Sequence, residues 1–203
     1  DLLKGAVHHG YGYGGGAVYA GSGVNLSGKV TFRDNLATAD ASTRVDTIRR
    51  TIFGTNIDTA VYSTGGDGGA IYLQTTGVLT LGGGAVYTFT DNAASRNGGA
   101  IYFDVAASGE AEKTLTGMTF TDNTAGSDGG AIYSARAFTV SGAAVFNGNN
   151  AGASGGAIYA TGAAAVVTLD GVTIGGFDAV NNVGLGNSAK YGGGVALAAG
   201  AKL

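Results

Sequence analysis

Short stretches of alternating apolar and polar residues, separated by Gly, Asn and Asp, recur along the whole chain. A representative unit contains Gly99-Ala100-Ile101-Tyr102, then Thr114-Leu115-Thr116, then Met118-Thr119-Phe120. A period of two is typical of strands, and no window shows the sustained 3.6 period of an amphipathic helix. The pattern therefore predicts three short strands in each unit and no helix.

Two interleaved motifs mark the repeat. Gly-Gly-Ala-Ile or Gly-Gly-Ala-Val followed by Tyr occurs at Gly15–Tyr19, Gly68–Tyr72, Gly98–Tyr102, Gly129–Tyr133 and Gly155–Tyr159. Phe-x-x-Asn occurs at Phe32–Asn35, Phe53–Asn56, Phe89–Asn92, Phe120–Asn123 and Phe146–Asn149. Gly192–Leu197 is a degraded copy whose register the sequence does not fix. Gly83–Tyr87 is a false copy, because it leads directly into Phe89 and so fills the third-strand position.

The spacing of these motifs defines the architecture. The isoleucines at 71, 101, 132 and 158 follow one another at intervals of 30, 31 and 26 residues, a period that belongs to a solenoid. Three strands per turn predict an all-β, parallel β-helix, and parallel crossovers favour the right-handed form. About seven rungs, each about 4.8 Å high, would give a rod roughly 30 to 35 Å long.

Alternation along each strand assigns side chains to the inside or outside of the rod. The isoleucine of the first motif is predicted to point inward and its tyrosine outward. The inner file of the second strand is Leu26, Leu81, Leu115, Val140 and Leu169, with Thr80, Thr114, Thr139 and Thr168 outside. Phe32, Phe89, Phe120 and Phe146 form an inner aromatic stack. The asparagine after each Phe would occupy a bend, tolerate left-handed backbone and bond to its neighbours in the stack.

We interpret residues 1–203 as a single β-solenoid domain with three departures from the repeat. Residues 36–66, where the glycine motif is missing, are interpreted as a loop or altered rung that projects from the rod. Smaller insertions are predicted at 104–113, which holds both glutamates, and at 178–191.

Composition excludes several classes of protein. The chain has no Cys, so disulfide scaffolds, thiol catalysis and cysteine-ligated metals are excluded. Its 40 glycines come without a single proline, which excludes collagen. A net charge of -3 with 11 basic residues does not suit nucleic acid or an anionic membrane as partner.

The pairing of Gly-Gly-Ala-Ile with Phe-x-x-Asn resembles the repeat of the polymorphic outer-membrane proteins, which are autotransporter passengers. The resemblance extends from Gly15 to about Gly194. It implies a right-handed β-helix at the cell surface, with adhesion to host or neighbouring surfaces as the usual role. Asp1-Leu2-Leu3-Lys4 does not resemble a signal peptide. We therefore expect a processed product, a fragment of a longer passenger, or a repeat module used differently.

The candidate binding surface is the file of tyrosines that follows the glycine motif. If these side chains point outward, they form an apolar stripe with polar tips, suited to a sugar or a protein partner. The alternative is a ladder of stacked rings that only stiffens the sheet. The sequence does not distinguish the two for Tyr19, Tyr72, Tyr102, Tyr133 and Tyr159.

Catalysis and metal binding have weaker support. The aligned residues Asp34, Asp91 and Asp122 could hold a cation or act as an acid and base pair, but each is explained by an Asp-Asn turn. His8-His9 is interpreted as an exposed terminal pair. We therefore predict a non-enzymatic protein with no cofactor and no metal.

The leading hypothesis is an extracellular or cell-surface adhesion module that binds a glycan or protein on a host or neighbouring cell. The alternative is a structural subunit whose rungs stack end to end into a β-helical fibre, because a solenoid has two open ends. Neither hypothesis requires nucleic acid or insertion of this segment into a membrane.

Overall fold

The computed structural model describes residues 2–8, 11–12, 14–21, 23–38, 46–52, 55–61, 66–74, 78–81, 86–105, 113–178 and 183–203. Their regular secondary structure is all β-strand. Within these ranges no helix is long and apolar enough to cross a membrane.

The strands stack into parallel sheets that run along the rod, and each sheet is named here for its characteristic residue. The tyrosine sheet contains Val18–Ala20, Ile71–Leu73, Ile101–Phe103, Ile132–Ser134, Ile158–Thr161 and Val195–Ala198. The phenylalanine sheet contains Leu2–His8, Gly23–Arg33, Tyr87–Thr90, Met118–Thr121, Val145–Asn147 and Thr173–Ile174, and Val78–Leu81 pairs with Gly23–Arg33. The threonine sheet contains Lys113–Thr116, Phe138–Ser141 and Val167–Leu169.

A fourth sheet was not predicted. Its strands are two residues long. Four of them, Leu36–Ala37, Ala93–Ala94, Thr124–Ala125 and Asn150–Ala151, follow the asparagine of a Phe-x-x-Asn motif, and Tyr11–Gly12 pairs with the first of these. Each regular turn thus has the three expected strands and one short corner strand. Strands this short carry too little alternation to be recognised in the sequence.

Pairing between rungs follows the sequence repeat. Ile71, Ile101, Ile132 and Ile158 are successive parallel partners. The next partner is Val195, so the degraded motif continues the tyrosine sheet with Ala196 opposite Tyr159. The all-β parallel β-helix is confirmed, whereas the number of rungs and the handedness stay predictions.

The core contains most of the predicted inner files, and Leu169 is only partly buried against it. The four isoleucines and the four phenylalanines are fully buried, as are Leu115 and Val140. Tyr87 is also inside the rod, where its hydroxyl donates to the carbonyl oxygen of Leu26 at 3.0 Å. This confirms that Gly83–Tyr87 leads into a third strand. Leu81 and Thr80 have no described side chain.

The asparagines of the motif form a buried ladder at one corner of the rod. Asn123 donates from its backbone nitrogen and from Nδ2 to Oδ1 of Asn149, at 3.1 and 2.9 Å. Its own Oδ1 accepts the same two bonds from Asn92, and its Nδ2 also reaches the carbonyl oxygen of Phe89. The predicted stacking is therefore confirmed, and the side chains satisfy backbone groups that the corner would otherwise leave unpaired.

Asparagine tolerates left-handed backbone, as the sequence analysis noted, but the asparagines of the ladder do not adopt it. The residue before each asparagine does so instead: Asp34, Asp91 and Asp122 all have φ of 54°, and Gly148 holds the same place with φ of 64°. Aspartate tolerates this region better than most residues do. The aspartate file is thus part of the turn.

The glycine pair makes the next corner along the chain, as Gly98 and Gly99 illustrate. Gly98 has φ of 65°, which a side chain would strain. A Cβ on Gly99 would lie 2.0 Å from the carbonyl oxygen of Gly130, one rung away. The second glycine is therefore required because two rungs approach each other closely.

Two regions depart from the repeat in the part of the chain that the structure describes. Asp46–Ile52 and Thr55–Val61 pair as an antiparallel hairpin, in which Asn56 is opposite Thr51. Interpreting Phe53–Asn56 as a copy of the corner motif is therefore wrong for Asn56, and Phe53 itself lies outside the described residues. Two strands separated by two residues, one of them glycine, match a hairpin signature that competes with the motif.

The second departure interrupts a motif. Asn149 donates to Oδ1 of Asn187 at 2.8 Å, so Asn187 is the next member of the ladder. Residues 175–186 separate it from Ile174, which occupies the phenylalanine position of that rung. The predicted insertion at 178–191 therefore overlaps residues that belong to the rod. Similarly, Leu36–Ala37 of the predicted 36–66 interval and Lys113 of the predicted 104–113 insertion belong to parallel sheets.

Candidate partner-binding surface: the tyrosine ladder

The five candidate tyrosines lie on the outer surface of the tyrosine sheet, in register from rung to rung. The strands alternate, so the buried isoleucine places the next side chain outside. Tyr19 is 57% exposed, and the other four are half-buried. The sequence therefore correctly predicted the direction in which these side chains point.

The rings stack on one another into a tyrosine ladder. Ring centroids are 5.2 Å apart for Tyr19 and Tyr72, 4.8 Å for Tyr72 and Tyr102, 4.8 Å for Tyr102 and Tyr133, and 5.3 Å for Tyr133 and Tyr159. The planes of Tyr102 and Tyr133 differ by only 6°. Each middle ring thus has both faces covered by neighbours, and it presents its edge and hydroxyl to solvent.

This geometry changes what the surface can recognise. A sugar cannot stack on the face of a middle ring without displacing a neighbouring ring. The exposed groups are ring edges, which carry the positive part of the aromatic quadrupole, and hydroxyls that can donate and accept hydrogen bonds. Whether the five tyrosines bind a ligand stays a prediction.

Carboxylates flank the ladder. Burial, together with the nearby carboxylates of Asp104 and Asp67, raises the pKa of Tyr72 to about 12. Burial also raises the pKa of Tyr102 and Tyr133, and Asp67 adds to both effects. These phenols therefore stay protonated at neutral pH and keep their donor hydrogens.

Asp67 belongs to a second row of polar residues at the turn before each glycine pair. Its Oδ1 accepts from the backbone nitrogen and Nδ2 of Asn97 at 3.1 and 2.9 Å, and Asn97 in turn accepts from the backbone nitrogen of Asp128. Burial raises the pKa of Asp67, while Arg96 opposes that shift from 3.9 Å. Since Arg96 is 60% exposed, this ion pair adds little stability.

Arg136 is a positioning residue that the sequence analysis missed. It is 1% exposed, and its guanidinium donates to the carbonyl oxygens of Asp104 at 2.5 Å and Gln74 at 2.8 Å. Both carbonyls directly follow strands of the tyrosine sheet. Arg136 therefore ties together the ends of the strands that carry Tyr72, Tyr102 and Tyr133. The only signal in the sequence was an arginine in a repeat that has few charges.

The other candidate sites gain no support. Asp91 is exposed and lies in the turn described above, and the next rung has Gly148 in place of an aspartate. In the described ranges, no three His, Cys, Asp or Glu side chains are grouped as metal ligands would be. His9 lies outside those ranges, and no side chain is described for His8. The absence of a cofactor and of catalysis stays a prediction.

Comparison with known proteins gives one match. A family model, the Chlamydia polymorphic membrane protein (Chlamydia_PMP) repeat, matches residues 87–104, 117–135 and 143–161. Searches of curated proteins and of solved structures found no significant match. Each matched segment starts in or next to the phenylalanine sheet and ends in or next to the tyrosine sheet, so it includes both motifs.

The repeat is characteristic of surface-associated outer-membrane proteins. The match confirms the resemblance drawn from Gly-Gly-Ala-Ile and Phe-x-x-Asn. It supports a surface location only as far as the family of the matching repeat is surface-associated. Three adjacent segments of the chain, residues 87–104, 117–135 and 143–161, are therefore similar to the polymorphic membrane protein repeat.

Proposed function

We propose that the chain is an adhesive segment of a bacterial surface protein and that the tyrosine ladder is its contact surface. The observation that carries the proposal is a continuous outward file of tyrosines on a repeat that belongs to surface-associated proteins. Tyrosine is well suited to a contact surface because it offers apolar area and a hydrogen-bonding group.

The geometry defines the kind of partner. The middle tyrosines offer edges and hydroxyls, and the flanking Asp67, Asp104 and Asp128 accept hydrogen bonds. We therefore expect an extended glycan or a protein surface that presents hydrogen-bond donors along the rod. Phenols repeating every 4.8 to 5.3 Å suit a partner with several weak contacts, whose combined affinity exceeds that of each contact alone.

The test separates the hydroxyls from the ring stack. The double variant Tyr102→Phe with Tyr133→Phe keeps the ring stack and removes two phenol hydroxyls. The double variant Tyr102→Ser with Tyr133→Ser removes the two rings as well as their phenol hydroxyls. Binding is measured to immobilised glycans and to fixed mammalian and bacterial cells. Tyr191→Phe is the matched control, because this ring is 62% exposed and outside the ladder.

We expect the double Phe variant to keep its thermal midpoint and to lose about tenfold in apparent affinity, since each lost hydrogen bond contributes about 0.5–1.5 kcal/mol. The double Ser variant should bind no better. Undiminished binding by both folded variants would exclude the ladder as the contact surface. If the parent bound none of these partners and the double Ser variant lost stability, the ladder would be a purely structural feature.

End-to-end stacking into a fibre, the alternative hypothesis, stays a prediction. Its test is a charge in the strand Val195–Ala198, such as Val195→Asp. Filaments of the parent that the variant fails to form would favour the fibre, and filaments that persist would refute stacking through this strand.

A further inference from the structure

We propose that the tyrosine ladder is a site of oxidative cross-linking, in which Tyr102 and Tyr133 are joined through their rings into a dityrosine that links two rungs covalently. This inference does not depend on adhesion. It rests on the stacking geometry, on the access of the rings to solvent and on the absence of cysteine.

The geometry places the two phenol rings together before any chemistry occurs. Parallel pairing of Ile101–Phe103 with Ile132–Ser134 fixes the two tyrosines opposite each other. Their centroids are 4.8 Å apart with planes 6° from parallel, so the two phenol rings are stacked on each other. Holding two reactants in this arrangement replaces an encounter in solution with an intramolecular step.

The chemistry requires an external one-electron oxidant, and we name hydrogen peroxide used by a haem peroxidase. Each phenol loses one electron and one proton, which gives two tyrosyl radicals. A carbon–carbon bond then forms between the two ring carbons beside the hydroxyls. The hydrogens on those carbons move to the phenoxyl oxygens and restore both aromatic rings. Two tyrosines and one peroxide thus give one dityrosine and two waters.

The rest of the molecule provides internal comparisons. Tyr87 is 1% exposed, and its neighbours across the sheet are Val30 and Met118. Tyr191 is exposed, but its bridge partner is Ser154. The inner phenylalanine stack has the same spacing without hydroxyls. Among the tyrosines whose side chains the structure describes, only those of the ladder combine solvent access with an adjacent phenol.

A cross-link here would have a structural consequence. The chain has no cysteine, so a disulfide cannot reinforce it. A bond between residues 102 and 133 closes a loop that includes a complete turn of the solenoid. Such a closure lowers the entropy of the unfolded chain, as a disulfide does. We therefore expect the cross-linked protein to unfold at a higher temperature than the untreated protein.

The experiment uses the purified chain, dilute enough to suppress contact between molecules, with a peroxidase and hydrogen peroxide. Trypsin separates the two tyrosines, because it cleaves after Arg96, Lys113 and Arg136. The expected product is peptide 97–113 joined to peptide 114–136, with two hydrogens fewer than their sum. Dityrosine fluorescence should appear in the monomer band.

The controls make each outcome decisive. Tyr133→Phe preserves the stacked ring and should abolish this product, whereas Tyr191→Phe should leave its yield unchanged. Unfolding in urea before oxidation should lower the yield about tenfold, because the stacked rings separate. An equal yield in urea, a product that survives in Tyr133→Phe, or cross-links confined to pairs of molecules would each overturn the proposal. The proposal would also be overturned if the unfolded chain formed dityrosine under conditions in which the native protein did not.

Discussion

Replacing Asn123 with alanine tests the role of the asparagine ladder. Asn123 is fully buried, and its Oδ1 accepts both the backbone N–H of Asn92 at 3.1 Å and the Asn92 Nδ2 at 2.8 Å. Alanine leaves these two donors without their acceptor in a place that water does not reach. An unsatisfied buried group costs about 1–3 kcal/mol, so the free energy of unfolding should fall by about 2–6 kcal/mol.

Two measurements check this prediction. Urea denaturation gives the loss of stability, and native-state hydrogen exchange gives the local effect at the amide of Asn92, which should exchange faster in Asn123→Ala. Thr124→Ala is the matched control, because Thr124 is the exposed neighbour and contributes only backbone bonds to the corner sheet. It should change stability by less than about 0.5 kcal/mol. A loss below about 1 kcal/mol in Asn123→Ala, with unchanged exchange at Asn92, would refute the ladder as a main stabilising feature.

Two further predictions concern the corners. Burial, followed by the charges of Asp34 and Asp122, raises the pKa of Asp91 above its ordinary value of 3.8. The folded protein therefore favours the protonated form of Asp91. The contribution of this carboxyl to the free energy of unfolding is lost as the pH rises through the raised pKa. Asparagine also tolerates the φ of 54° at this position, so the variant Asp91→Asn should be more stable than the parent at about pH 7 and differ less from it at about pH 3. Urea midpoints at the two pH values measure this difference. A parent that is more stable than the variant at about pH 7 would contradict the prediction. The variant Gly99→Ala should lower the thermal midpoint strongly, because its Cβ would lie 2.0 Å from a backbone oxygen. The control variant Gly186→Ala should change the midpoint little, because the space around Gly186 is open. Similar midpoints for the two variants would contradict the close approach of rungs.

Much of this fold can be predicted from sequence because equivalent positions in successive rungs have the same environment. Phe89 and Phe120 occupy equivalent positions in successive units, so their burial and stacking follow from spacing and alternation alone. The outward direction of Tyr102 follows in the same way from the inward direction of Ile101. In each case the prediction needs only strand geometry and a common register.

The features that the sequence did not reveal depend on contacts that spacing does not determine. Asn187 joins the ladder after an insertion has displaced it from its motif. The interior position of Arg136 depends on carbonyl oxygens contributed by other rungs. Asn56 belongs to a hairpin, because local antiparallel pairing replaces the rung there. That tyrosine rings cover one another's faces depends on side-chain torsions, which alternation does not specify.

The register of the rungs is the central claim, and the absence of cysteine allows a direct test. Thr88 and Thr119 are partners on the outer face of adjacent strands, about 4.8 Å apart, within the range that a disulfide can bridge. The double variant Thr88→Cys with Thr119→Cys should form an intramolecular disulfide under mild oxidation. Thr88→Cys with Thr114→Cys, which places the second thiol in a different sheet, should not. A disulfide in the first variant alone is the predicted result; equal bridging in both, or bridging in the second alone, would contradict the registered parallel β-helix.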